Sequence, residues 1–165
     1  MQKHETWRKI HTRFGYVQIS NLHGKNEMFE NIKVARFLAN NLGHSIFLLA
    51  RSEHSKQPDS RNTTWDIFQE YKINKIPTKS AIDNELRTAA KQSDHVVLWI
   101  GSEISLSDLE RGIKGRTKWA KNIKNVWIIR NSTIVMLTRS QILQKDFSIS
   151  KQGYSPKEYP YLGGL

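Results

Sequence analysis

Apolar and polar residues change period several times along the chain, and each change marks an element. FGYVQIS at 14–20 alternates, which predicts a strand, and LHGKN after it breaks the pattern. From 26 to 42, NEMFENIKVARFLANNL sets Phe29, Ile32, Phe37, Leu38 and Leu42 near helical spacing, with Gly43 placed as a stop. SIFLLA at 45–50 is a short apolar run suited to a buried strand, and RSEHSKQPDSRNT beyond it is polar and turn-rich. TWDIFQEYKI at 64–73 is β-rich, and a two-residue period sends Asp66, Phe68, Glu70 and Lys72 to one face. Pro77 closes that region, and Ser80 with Asp83 forms a capping-box-like start for a helix over 80–92. HVVLWIG at 95–101 predicts another buried strand, and Ser107 with Glu110 a third helix through about 120. NVWIIR and TIVMLT, within 125–138, predict a hairpin turning at Asn131 and Ser132, and 150–165 reads as a tail.

These elements predict an α/β domain with a central mixed sheet flanked by helices, and with the acidic stretch at Asp59 read as a turn or short strand the core order over 26–101 is α-β-β-β-α-β. A chain of 165 residues suits one domain, 1–150, followed by a C-terminal tail, 151–165. Lys and Arg number 26 against 15 Asp and Glu, a net charge of +11 that points to a polyanionic partner such as nucleic acid. The absence of cysteine excludes disulfides, zinc-thiolate sites and cysteine nucleophiles. No run approaches the roughly 18 apolar residues of a membrane span, and MQKHETWRKIHTR lacks the apolar segment of a secretory signal. A soluble chain is expected, with any export depending on a larger parent protein.

Two of the acids, Asp59 and Glu70, have a spacing that suits chemistry on phosphodiesters. A divalent cation that activates water requires hard oxygen ligands, and two carboxylates from adjacent strands plus a backbone carbonyl can supply them. Asp59, Glu70 and the carbonyl of Tyr71 fit those roles for Mg2+ or Mn2+. Lys72, on the face of Glu70, is placed to orient the attacking water or offset charge on phosphorus. On an open strand face the same Glu70–Lys72 pair would be an ordinary solvated ion pair contributing little. Lys91 and Gln92, at the end of the second helix, are candidates for phosphate contact. RGIKGRTKWAKNIK at 111–124 carries six Lys or Arg and no acid, interleaved with Trp119. Arg111, Lys114, Arg116, Lys118 and Lys121 form a candidate phosphate track, with Trp119 as a stacking platform or a core residue. The histidines, His4, His11, His23, His44, His54 and His95, have no paired metal-ligand spacing, although one could serve a metal-free ribonuclease as general base.

Pro58, Asp59, Glu70 and Lys72, read as PD-x10-ExK, resemble the signature of the PD-(D/E)xK nuclease superfamily, whose restriction-endonuclease-like core has the order found here. The resemblance implies a further acid on the first helix, for which Glu30 and Glu27 are available. ENIKVARFLANNLGHSIFLL, PDS, EYK and PTKSAIDNELRTAAKQSDHVVLWI, within residues 27–138, are similar to the C-terminal tRNA-nuclease toxin domains of contact-dependent growth inhibition proteins and their mobile-element relatives. That resemblance implies metal-dependent cleavage of RNA, tRNA above all, in the cytoplasm of a target cell, delivery from a larger secreted parent, and a cognate immunity protein. The alternatives are a metal-independent barnase-like RNase, a DNA endonuclease of a mobile element, and a non-catalytic nucleic-acid-binding protein.

Overall fold

The computed structural model describes residues 4–52 and 54–151. In chain order the elements are β1 (Trp7–His11), β2 (Tyr16–Ser20), α1 (Met28–Leu42), β3 (Ser45–Leu48), β4 (Ser60–Asn62), β5 (Ile67–Asn74), α2 (Lys79–Ala89), β6 (His95–Ile100), α3 (Leu106–Trp119), β7 (Asn125–Arg130), β8 (Thr133–Thr138) and α4 (Arg139–Ile142). A 3-10 turn, Ile149–Lys151, follows, and the rest of the expected tail lies outside the described residues. The strands form an eight-stranded mixed sheet in the order of the chain. The stretch α1-β3-β4-β5-α2-β6 reproduces the order read from the sequence. Contacts divide the chain into two compact units that part within β5, between Gln69 and Glu70.

In the first unit β2 and β3 run parallel, joined by α1, while β1 and β4 flank them antiparallel. Val17, Ile19, Ile46 and Leu48 point to one face and are buried with Ile32, Ala35 and Leu38 of α1. Gly43 ends the helix at φ 70°, a left-handed conformation that glycine adopts without a Cβ penalty, and its N–H caps the carbonyl of Ala39. Phe29, expected on the apolar stripe, is instead 73% exposed, because the buried residues begin at Asn31. One strand escaped the periodicity: β1, WRKIH, an edge strand that mixes cations with apolar residues. β4, expected as an acidic turn or short strand, is three residues, SRN, held by pairing with β3 and β5. Asp66 lies outside β5, in the turn before it at φ 53°, rather than on the strand face.

In the second unit β5, β6 and β7 are parallel and β8 returns antiparallel. Ile82 and Leu86 of α2, Leu109 and Ile113 of α3, Val96 and Leu98 of β6, and Val126 and Ile128 of β7 form its core. The hairpin turns at Asn131 and Ser132, both at positive φ, as a two-residue connection matched to strand twist requires. Helix starts differ in detail from expectation. Thr78 caps α2, accepting from the Ala81 N–H, and Asp83 pairs with Arg116 instead. Ser105 caps α3, two residues ahead of Ser107.

The two glycines of α3 should respond with opposite signs. A Cβ on Gly112 would lie 2.8 Å from Cβ and Cγ2 of Ile82, whereas one on Gly115 meets nothing within 4 Å. Gly115→Ala should stabilise by about 0.5–1 kcal/mol through backbone entropy. Gly112→Ala should destabilise by about 1–3 kcal/mol, since overpacking outweighs the same entropic gain. Urea unfolding of both variants measures this, and stabilisation by Gly112→Ala would contradict the close α2–α3 packing.

Candidate functional site

Asp59 stands immediately before β4, where its carbonyl accepts the Leu49 N–H at 3.0 Å, and its side chain is only 7% exposed. Oδ1 accepts from Nδ2 of Asn31 on α1 at 3.1 Å. The same Nδ2 also donates to Nε2 of His23 at 3.0 Å, and Nδ1 of His23 lies 2.6 Å from the Leu49 carbonyl. A carbonyl only accepts, so the His23 proton sits on Nδ1 and Nε2 carries the lone pair that Asn31 needs. The Leu49–His23–Asn31–Asp59 chain thus has a donor for every acceptor and fixes the carboxylate. Arg51 reaches to 4.0 Å from Asp59 Oδ1 while paired with Glu27, and lines a pocket with His23, Ser55, Gln57, Pro58 and Asp59. Glu30 lies in the first turn of α1, next to Asn31, the α1 residue that bonds Asp59.

In the second unit Glu70, on β5, is 1% exposed. Its Oε1 accepts from Lys72 Nζ at 2.8 Å and from Gln92 Nε2 at 2.7 Å. The pair is therefore no solvated strand-face pair. A carboxylate so buried is costly unless held by charge-assisted hydrogen bonds, and these two donors supply them. Two-residue alternation places Lys72 beside Glu70, and the turn after α2 brings in Gln92, whose N–H bonds the Ala89 carbonyl. Gln92, expected at phosphate, serves the carboxylate, while its neighbour Lys91 is exposed.

The basic segment divides. Arg116 is bonded twice to Asp83, at 3.1 and 2.6 Å, Arg111 pairs with Asp108, and Lys114 donates to the carbonyls of Gln144 and Lys145. These three cations bind within the fold. Lys118 and Lys121 are exposed and flank Trp119, which is 76% exposed and so is no core residue.

His44, also buried, has Nε2 facing the indole N–H of Trp65 at 3.1 Å and Nδ1 at 2.9 Å from the Asn62 amide. Burial lowers its pKa to about 4, and an indole can only donate, so a proton on Nε2 is opposed twice. Asn31 and His23 were missed in the sequence reading. The available signal was an amide one position before Ile32, at the start of the buried stripe of α1.

The oxygen donors suit a hard cation. Asp59 and Glu70 are buried carboxylates locked by nitrogen donors, and Mg2+ characteristically takes one or two carboxylates and fills its other positions with water and phosphate oxygen. Among the described residues no cluster of three or more His, Asp or Glu side chains is arranged around one ion.

No family model matches the chain, and no curated protein matches it. Among solved structures it is similar to the CdiA-CT/CdiI toxin and immunity complex from Burkholderia pseudomallei, with a TM-score of 0.51 and 15% identity, covering 68% of this chain and 85% of that one. At that identity the likeness is one of fold.

The folded pKa of His44, about 4, is below the usual 6.5, so the unfolded chain takes up this proton first. The stability His44 contributes is complete above pH 6.5 and is lost as pH falls toward about 4. The urea midpoint should therefore drop from pH 7.5 to pH 5, and His44→Gln should flatten that drop. Equal slopes in variant and parent would contradict the neutral, acceptor role of His44.

Proposed function

We propose that the chain is a metal-dependent endonuclease of the toxin type, with Asp59 and Glu70 as carboxylate ligands to Mg2+ or Mn2+ and RNA, tRNA in particular, as substrate. The observation that carries this reading is the burial of Glu70 between Lys72 and Gln92, on the third strand of an α-β-β-β-α-β order. Burying an acid with one ammonium and one amide costs stability that an apolar residue would not, and such spending marks functional sites. The β4–β5 ladder also supports it. Ser60 pairs with Gln69, and Asp59 and Glu70 are the covalent neighbours of that pair.

A bound divalent ion would lower the pKa of water and offset charge on the phosphodiester. Asp59, held by Asn31, and Glu70, held by Lys72 and Gln92, keep their carboxylates at fixed positions with no rotamer search. Lys72, whose side chain is 25% exposed, presents an ammonium suited to a non-bridging phosphate oxygen. Lys118, Trp119 and Lys121 give the substrate a cationic, stacking surface. The metal-independent histidine mechanism is disfavoured for His23 and His44, since both nitrogens of each ring are engaged within the fold.

The toxin reading draws on the fold shared with a toxin–immunity complex, and it brings two further proposals: a cognate immunity protein, and delivery of this domain from a larger parent to a target cytoplasm. A charge of +11 suits an acidic inhibitor as well as a nucleic acid.

Incubation with total RNA and plasmid DNA, with Mg2+ or with EDTA, tests the class of reaction. RNA degradation only with metal is expected; cleavage that survives EDTA would overturn the metal role. On labelled tRNA, Asp59→Asn and Glu70→Gln should each lower the rate by at least about 100-fold, with the double variant scarcely worse, because the ligands act as a unit. Lys72→Ala should fall similarly. Filter binding should be unchanged or tighter for the carboxylate variants, and full activity in Glu70→Gln would contradict the proposal.

A further inference from the structure

The helix α1 covers one face of β2 and β3, burying Val17, Ile19, Ile46 and Leu48. Among the described residues no helix covers the opposite face of the first unit, and that face has an unusual composition. Lys9, Gln18, Phe47, Arg61 and Phe68 are successive cross-strand partners over β1 to β5, so they form one row on one face. By alternation Trp7, His11 and Tyr16 share that face. Trp7 is 42% and Phe68 50% exposed, and Phe47 and Tyr16 are half-buried.

The rings and cations are interleaved. Phe47 takes Trp7 edge-on at 5.5 Å and Tyr16 at 6.3 Å, Lys9 Nζ sits 4.0 Å from the Tyr16 ring centre, and the Arg61 guanidinium 5.9 Å from that of Phe68. Strands β1 to β4 contain no Asp or Glu. Among the described residues three acids border the face: Asp66 pairs with Arg61, Glu5 accepts from the Ser20 hydroxyl, and Glu70 follows Phe68 on the same side of β5 but is buried against Lys72 and Gln92. A solvated sheet face would ordinarily carry polar side chains, without four aromatic rings. A row over five strands spaced about 4.8 Å apart is about 19 Å long, the scale of a few nucleotides.

We propose that this open face of β1 to β5 binds a short single-stranded stretch of RNA, with bases stacked on Trp7 and Phe68 and phosphates met by Lys9 and Arg61. Every unpaired base offers a π-face, whereas paired bases in a duplex do not, so the surface selects unpaired nucleotides. Binding here needs no metal and no cleavage chemistry, and it stands whether or not Asp59 and Glu70 hold an ion.

Fluorescence anisotropy on the full chain in EDTA tests it, with fluorescein-labelled octauridylate and a labelled 12-base-pair RNA duplex as probes. Trp7→Ala and Phe68→Ala should each weaken octauridylate binding about tenfold, within the range for loss of one stacked base. Duplex affinity should stay within about twofold in each, which also reports an intact fold, while Trp7→Phe should largely retain octauridylate binding because the ring is kept. Octauridylate affinity unchanged in the double alanine variant would overturn the proposal and leave this face to a protein partner. Parallel losses on both probes would overturn it too, since selection of unpaired bases would be absent. Absence of RNA cleavage by the unaltered chain, with these binding differences intact, would count against the nuclease reading alone.

Discussion

Glu70 is a carboxylate shut away from water, and the protein must keep it ionically and geometrically satisfied. Lys72 does so from the same strand, and Gln92 does so from the turn beyond α2. Removing one donor would leave a buried charge under-compensated, an arrangement far less tolerable than the pair itself. The packing of α2 against α3, with Gly112 allowing close approach at Ile82, holds the turn that delivers Gln92. Core packing and site geometry in this unit are therefore one problem.

The first unit solves a parallel problem with neutral groups. His23 and Asn31 relay a backbone carbonyl to Asp59, each with its donor and acceptor ends determined. His44 is kept neutral by its burial, between Trp65 and Asn62. In a chain with net charge +11 its protonation would add further positive charge, and the indole N–H facing Nε2 opposes that. Other cations lie at the surface, where Lys9, Lys118 and Lys121 are exposed.

Much of the architecture was legible because it depends on period. The stripe of α1, the apolar runs of β3 and β6, and the Asn131–Ser132 turn all announce themselves in the sequence. β1 did not, because an edge strand rich in cations exists through pairing, which local pattern does not encode, and for the same reason β4 was legible only as an acidic turn or short strand. The Glu70–Lys72 pairing was legible from alternation, whereas its burial was not, since burial comes from neighbours distant in sequence. Gln92 was placed near chemistry but on phosphate, and only the turn after α2 reveals that it donates to Glu70. Charge density along 111–124 likewise concealed that Arg111, Lys114 and Arg116 are engaged within the fold.

The central proposal is that Asp59 and Glu70 are the carboxylate ligands of a hard divalent cation. Electron paramagnetic resonance of Mn2+ titrated into the full chain, without nucleic acid, addresses it apart from any turnover. The account predicts loss of the free Mn2+ signal with a stoichiometry of about one ion per chain, and weakening of that binding by about tenfold or more in Glu70→Gln and in Asp59→Asn. Undiminished Mn2+ binding by Glu70→Gln would contradict it.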